Sequence, residues 1–286
     1  MIIGIMILAL LIISHSIAIF IFNFIINPYD PSTFTKIFPY QFIYNLIFSK
    51  FKPKDSYFSL RVDINSSKEN VKKHDQGVLE LIKIANEYSI PITFSLVADF
   101  LPELSDEVIE MIKEGDHEVI SHGLDHEDIT EQDQVNSIRR SKELLEDTFD
   151  QEILGFIGPK GRHDLKTLEA AKESRIKFLS SGYLPHLRYW SFPYPFKKRG
   201  IWLLGGSIKS DHRLYEEQKL KPEKALKIWK EELDFRAERG WYTQLEYHNF
   251  STSEEKLKAL EELFEHIEKK DDLKPITQSD LIREVK

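Results

Sequence analysis

Cysteine does not occur among the 286 residues. Its absence removes disulfides, thiolate metal sites and cysteine nucleophiles together, and leaves His, Asp, Glu and Asn as the side chains able to hold a metal. Basic clustering is missing too: the formal charge is −8, and no stripe of Lys and Arg gathers the phosphate contacts from which nucleic-acid affinity is built. A nucleic-acid partner is therefore not expected. Nor is there a G-x-G-x-x-G or Walker A segment to cradle a nucleotide. What remains is the composition of a folded domain, 41% hydrophobic and 30% charged, in a chain long enough for one barrel-sized domain and a short appendage.

Residues 1–26 are almost wholly apolar, interrupted only by polar residues such as Ser14, His15, Ser16 and Asn23. A helix of that length crosses a bilayer, and no small-residue cleavage site follows, which favours a retained anchor over a removed signal peptide. Residues 1–27 are expected to form a single transmembrane helix. Residues 28–54, with an aromatic stretch at 38–51, are expected to form an interfacial linker, and 55–286 the folded domain. No Lys or Arg precedes the apolar run, whereas Lys36, Lys50, Lys52 and Lys54 follow it; the positive-inside rule alone would place the carboxyl side in the cytoplasm.

Residues 57–65 alternate cleanly, with Phe58, Leu60, Val62 and Ile64 on one side and Ser59, Arg61, Asp63 and Asn65 on the other; that is a strand of period two. Further strands are predicted at 92–97, 117–121, 153–157, 178–180, 201–204, 242–247 and 274–277. Between them lie helices at 76–88, from Ser105 to a stop at Gly115, at 133–149, 164–174 and 222–239, and a long charged helix opened by Ser253. Strict alternation of strand and helix implies parallel strands with crossover helices, and seven or eight such units imply a barrel more readily than an open sheet. The fold class is α/β, a distorted parallel (β/α)7-type barrel. In such a barrel the reacting groups collect where strands end. Asp63 and Asn65, His122 and His126, and His248 all fall at the carboxyl ends of predicted strands.

The segment Glu118-Val-Ile-Ser-His122-Gly-Leu-Asp-His126 places two imidazoles four residues apart just past a strand. One helical turn there would aim both rings at a single point, a spacing suited to a divalent cation; the competing reading is a solvated loop rich in His and Asp.

The ordered set of motifs resembles the polysaccharide deacetylase, or NodB-homology, family over residues 57–285. Arg61-Val-Asp63-Ile-Asn65 resembles its first motif, His122-Gly-Leu-Asp-His126 its H-x-x-x-H motif, Ile157-Gly-Pro159-Lys-Gly161 its third, and Leu245-Glu-Tyr-His248 its last. The resemblance implies a metal-dependent hydrolase that removes N-acetyl groups from an amino-sugar polysaccharide or oligosaccharide. The cofactor it implies is a divalent metal, Zn with Co or Ni as variants. Carried over by position, His122, His126 and Asn65 would hold the metal, Asp63 would be the base and His248 the acid. The backbone of Lys160, following Pro159, would face the oxyanion. It also implies an exported domain, anchored by a single pass with its catalytic part outside the cytoplasm.

Three positions depart from the family pattern. Asn65 stands where an acid normally binds the metal, and its neutral amide is a poorer ligand for zinc. Ile157 replaces the Arg that normally keeps the catalytic Asp ionised, although strand parity puts Arg61 on the same face as Asp63. Glu246 stands where an apolar residue normally lines the acetyl pocket. These changes motivate two rivals: a catalytically impaired carbohydrate-binding barrel, and a hydrolase of another N-acyl or amide compound. Of the aromatic cluster Tyr189, Trp190, Phe192, Tyr194 and Phe196, Trp190 is the nominee for stacking on a sugar ring. His74, His163, His186, His212 and His266 are read as surface groups, Asp125 and Asp128 as flanking the His pair, and Asp211 as an acid without an assigned role.

Overall fold

A computed structural model describes residues 55–65, 68–181, 194–205 and 207–285. The expected transmembrane helix at 1–27, the linker at 28–54, Trp190 and His186 lie outside the described residues; among those that are described, no helix is long and apolar enough to cross a membrane.

The predicted elements form, with ends shifted by a residue or two. Strands β1 (Ser56–Ile64), β2 (Ile92–Leu96), β3 (Glu118–Ser121), β4 (Gly155–Phe156), β5 (Phe178–Leu179), β7 (Ile201–Leu203), β8 (Thr243–His248) and β9 (Leu273–Pro275) fall on predicted segments. They alternate with helices α1 (Asp75–Glu87), α2 (Asp106–Glu114), α3 (Gln134–Phe149), α4 (Leu165–Glu173), α5 (Pro222–Ala237) and α6 (Glu254–Glu268). The helix starts follow the capping chemistry: Ser105, Asp133 and Asp164 each accept a hydrogen bond from the backbone N–H three residues on, and Pro222 occupies the first turn of α5.

Besides several short 3-10 and π turns, one strand and one α-helix among the described residues escaped the sequence. Strand β6 (Phe196–Lys198) pairs antiparallel with β7, so the sheet is mostly rather than wholly parallel. Helix α7 (Gln278–Glu284) closes the chain. Both are too short for periodicity to register.

The sheet order is β6-β7-β5-β4-β3-β2-β1-β8, with β9 also pairing β1. Its curl is read from side chains: Arg61 on β1 donates to the Ser180 carbonyl at 2.9 Å, although β5, which ends just before Ser180, is four strands away in that order. A flat sheet with strands about 4.8 Å apart would hold them much farther apart. A bridge between Ser207 and Gln244 brings the chain after β7 against β8. The architecture is thus a curled half-barrel of mostly parallel strands and outer helices, with this bridge in place of full closure.

The alternation of β1 sorts its two faces. Phe58, Leu60, Val62 and Ile64 enter the main apolar core with Val78, Leu81, Ile82 and Ala85 of α1 and Leu260, Leu263 and Phe264 of α6. Ser59, Arg61 and Asp63 point the other way, into the curl, and are buried too. That interior is polar, and at its amino end the buried Glu118 carboxylate accepts from Thr93 Oγ1 at 2.9 Å, from Gln278 N at 3.0 Å and from the Ser279 hydroxyl. Glu118 thereby fastens the first turn of α7 beneath the sheet. Glu118→Ala removes the acceptor that Thr93 Oγ1 and the first turn of α7 share and is expected to cost about 2–4 kcal/mol of unfolding free energy, measured by urea denaturation.

Candidate active site

At the carboxyl ends of the strands, β1 contributes Arg61, Asp63 and Asn65. Residues two apart on a strand share a face, and Arg61 uses this to grip Asp63 with two bonds: Nε to Oδ1 at 2.7 Å and Nη2 to Oδ2 at 3.0 Å. The pair is almost wholly buried, at 3% and 2% exposure. Burial alone would raise the Asp63 pKa, but the Arg61 charge, followed by His122 and His248, overrides it and holds the carboxyl at about 2. Arg61 thus supplies the cationic partner that Ile157 cannot.

The loop after β3 carries the two imidazoles. His122 Nδ1 lies 3.1 Å from the Ile157 carbonyl; donating there leaves Nε2 with its lone pair free for the site. Burial lowers the His122 pKa to about 4 and shifts His126 down as well, so both rings are neutral at pH 7, the state in which imidazole binds a metal. The expected helical turn does not form here. Gly123 at φ 88° and His126 at φ 65° instead fold the segment into an irregular loop that still sets the rings 5.0 Å apart. A left-handed conformation at a non-glycine residue persists only where its surroundings enforce it. Just beyond it, Asp128 caps the next turn through Thr130 N and pairs with Arg162.

Strand β8 lies beside β1 in parallel register, with Asp63 opposite His248 and Arg61 opposite Glu246. His248 Nδ1 meets Asp211 Oδ1 at 2.7 Å, and its backbone N–H donates to Asp211 Oδ2 at 3.1 Å. Asp211 is completely buried. Burial opposes a charge on His248, yet the Asp211 bond and charge outweigh it, aided by Glu246 and Asp63, and carry the pKa up to about 9. Phe250 stacks on the ring, with centroids 4.8 Å apart and planes at 26°.

A cavity of about 540 Å3 gathers Asp63, Asn65, His122, His126, Lys160 and His248 at one mouth, with Glu246 and Phe250 in its wall; ligand sites typically fall at roughly 300–1,000 Å3. Pro159 is buried and does not line it. Lys160 lines the cavity with left-handed backbone, φ 59°.

Two sets of donors compete for a cation. Asp63, Glu246 and His248 bring one ligand atom each within 4.8 Å of one another, but Arg61 bonds to both carboxylates, so their charge is already compensated and His248 carries a proton. The other set is His122, His126 and Asn65. There the His126 Nε2 and Asn65 Oδ1 atoms are buried without a hydrogen-bond partner, and His122 Nε2 has Asn65 Nδ2 nearby at 3.4 Å. Unpaired buried polar atoms are costly, and two imidazoles with an amide oxygen suit a divalent metal. The second set fits; it lacks only a formal negative charge.

Sequence reasoning left several residues without their roles. Asp211 orients and charges His248, Ser180 accepts from Arg61, and Phe250 stacks on the His248 ring. Of the histidines read as surface groups, His163 is buried and His212 lines the cavity, its ring 5.9 Å from that of His248. Asp211 was legible only as an acid in a loop, because its partner lies 37 residues away.

Residues 56–179 match the family model for polysaccharide deacetylase. A stretch of 52 residues is 36% identical to a chitooligosaccharide deacetylase of Rhizobium leguminosarum bv. phaseoli; it spans 18% of this chain and 23% of that protein. A Mycobacterium smegmatis structure assigned to the polysaccharide deacetylases superposes with TM-score 0.70 at 20% identity, covering 82% of this chain and 91% of that one. An allantoinase, PuuE, superposes with TM-score 0.69 at 15% identity, covering 80% and 89%. A pseudoenzyme of the CE4 family from Bacillus anthracis shares the fold at TM-score 0.55 and 12% identity, covering 81% and 67%. At these identities the structural likenesses establish the fold alone.

Proposed function

We infer the function from one premise, that this chain belongs over residues 56–179 to the polysaccharide deacetylase family. The reading is a metal-dependent hydrolase that removes N-acetyl groups from an amino-sugar polysaccharide. The observation that carries it is the meeting of an ionised Asp63, a charged His248 and two neutral imidazoles at one cavity. Each is in the protonation state its role needs at neutral pH.

His122, His126 and Asn65 would hold the cation, Zn or alternatively Co or Ni. When bound, such an ion supplies Lewis acidity toward a water and the acetamide carbonyl. Asp63, ionised above about pH 2, takes the proton of the attacking water. Lys160, in the cavity wall, would offer its backbone N–H to the oxyanion. His248 has Nδ1 occupied by Asp211, so Nε2 is the nitrogen that delivers a proton to the departing amine; the charge held to about pH 9 makes it an acid throughout the neutral range. The apolar run at 1–26 supports a single-pass anchor; the reading as a deacetylase of a surface polymer, and not the flanking charges, is what sets this domain outside the cytoplasm.

The test is acetate release from N-acetylglucosamine oligomers by the purified full-length chain loaded with zinc, cobalt or nickel, with bound metal counted by mass spectrometry. Stoichiometric metal and acetate together are expected. Neither being found would sink the enzyme and leave a carbohydrate-binding barrel, the second reading, which Asn65 favours by leaving the ligand set without a charge. Asn65→Asp decides how much that charge matters. It is expected to tighten metal binding by about tenfold or more, since ligand charge sets cation affinity, and to raise turnover at limiting metal. An unchanged metal titration would show that Asn65 is not a ligand.

A further inference from the structure

We propose that the groove between α1 and α6 continues the active-site cavity as sugar-binding subsites for the rest of the polymer. This rests on the deacetylase reading, because it says where the remainder of that same substrate lies. The groove measures about 890 Å3 and shares Phe250 with the catalytic cavity. Phe250, stacked on His248, is the residue at which the two cavities adjoin, so a polymer with one acetamide beside His248 would reach the groove by passing over this ring. Phe250 offers an aromatic surface at the junction, the kind of face on which a pyranose ring packs.

The groove is built for a neutral, hydroxylated polymer. Ile84 and Leu257 give it an apolar floor, while Gln76, Glu80, Ser253 and Lys258 supply hydrogen-bonding groups of both signs along its walls. Sites that take sugars combine these two features, apolar contact for ring faces and a few polar groups for their edges. Mixed charge argues against a polyanion, which would need clustered cations. At the end nearest Phe250 the two walls are in contact: at Gly77 on α1 an added Cβ would lie 2.1 Å from Thr252 Oγ1, so α1 and the turn before α6 approach as closely as a glycine allows.

The absence of native cysteine permits a clean test. Gln76→Cys places one thiol in the groove of the full-length chain, and Arg283→Cys on α7 places a control thiol away from it. Maleimide labelling is followed with no sugar, with the N-acetylglucosamine dimer and with the hexamer, alongside acetate release. The hexamer is expected to slow labelling at position 76 at least tenfold and the dimer to leave it unchanged, with the control unaffected by either. Labelled Gln76→Cys should then lose the preference for hexamer over dimer. Acetate release without protection would overturn the groove and leave the deacetylase standing. Protection without acetate release would overturn the deacetylase and leave the groove. No protection and no release would remove both.

Discussion

Asp63→Asn is expected to lower acetate release by about 10²- to 10⁴-fold, the usual contribution of a positioned general base, with bound metal unchanged. Asn keeps the shape and removes the proton acceptor, so the loss should appear in kcat while KM for the oligomer stays within about twofold. A second effect follows from burial. Arg61 grips Asp63 with two bonds at 3% exposure, and removing one partner of a buried pair commonly costs about 3–5 kcal/mol. Here Arg61 keeps Glu246 and the Ser180 carbonyl and hydroxyl, so the thermal midpoint should fall less than that figure implies. Kinetics, a metal count and a thermal melt on one preparation check all three. Loss of the metal itself would show that Asp63 is a ligand, and the assignment of Asn65 would fall with it.

Asp211→Asn is expected to pull the alkaline limb of the pH–rate profile toward acid by about 1 to 3 pH units, the range by which an adjacent opposite charge moves a pKa. His248 serves as an acid only while protonated, and Asp211 foremost holds its pKa at about 9 against burial. The wild-type rate should therefore hold to about pH 9, whereas the variant should already decline near neutrality. A merely structural Asp211 would lower the rate equally at every pH, and that outcome would overturn the assignment. The same pair links folding to pH. An unfolded imidazole titrates near 6.5 and the folded one near 9, so its stabilisation is complete below about pH 6.5 and is lost as pH rises through 9. Wild type should show a larger fall in melting temperature between pH 6 and pH 10 than Asp211→Asn does.

Local pattern reached a long way into this molecule. The alternation of Phe58, Leu60, Val62 and Ile64 with Ser59, Arg61 and Asp63 specified β1 and its two faces, because side chains on a strand alternate whatever surrounds them. Capping residues such as Ser105, Asp133 and Asp164 marked helix starts, because the unpaired N–H groups there need a nearby oxygen. The candidate residues at strand ends, Asp63, Asn65, His122, His126 and His248, were visible for the same reason. Parity alone also put Arg61 beside Asp63. Strand β6 and α7 escaped, being three and seven residues long and therefore without a readable period.

What the sequence by itself determined was an α/β chain of parallel units with its chemistry gathered at one end of the strands. Tertiary structure decided the state of that chemistry. The curl of the sheet brought Ser180 to Arg61, Asp211 came to His248 from 37 residues away, and the loop after β3 closed its two rings through left-handed backbone rather than a helical turn. A protonation state depends on burial and on charges a few ångströms off in space. Those neighbours come from distant parts of the chain, and only folding makes them adjacent.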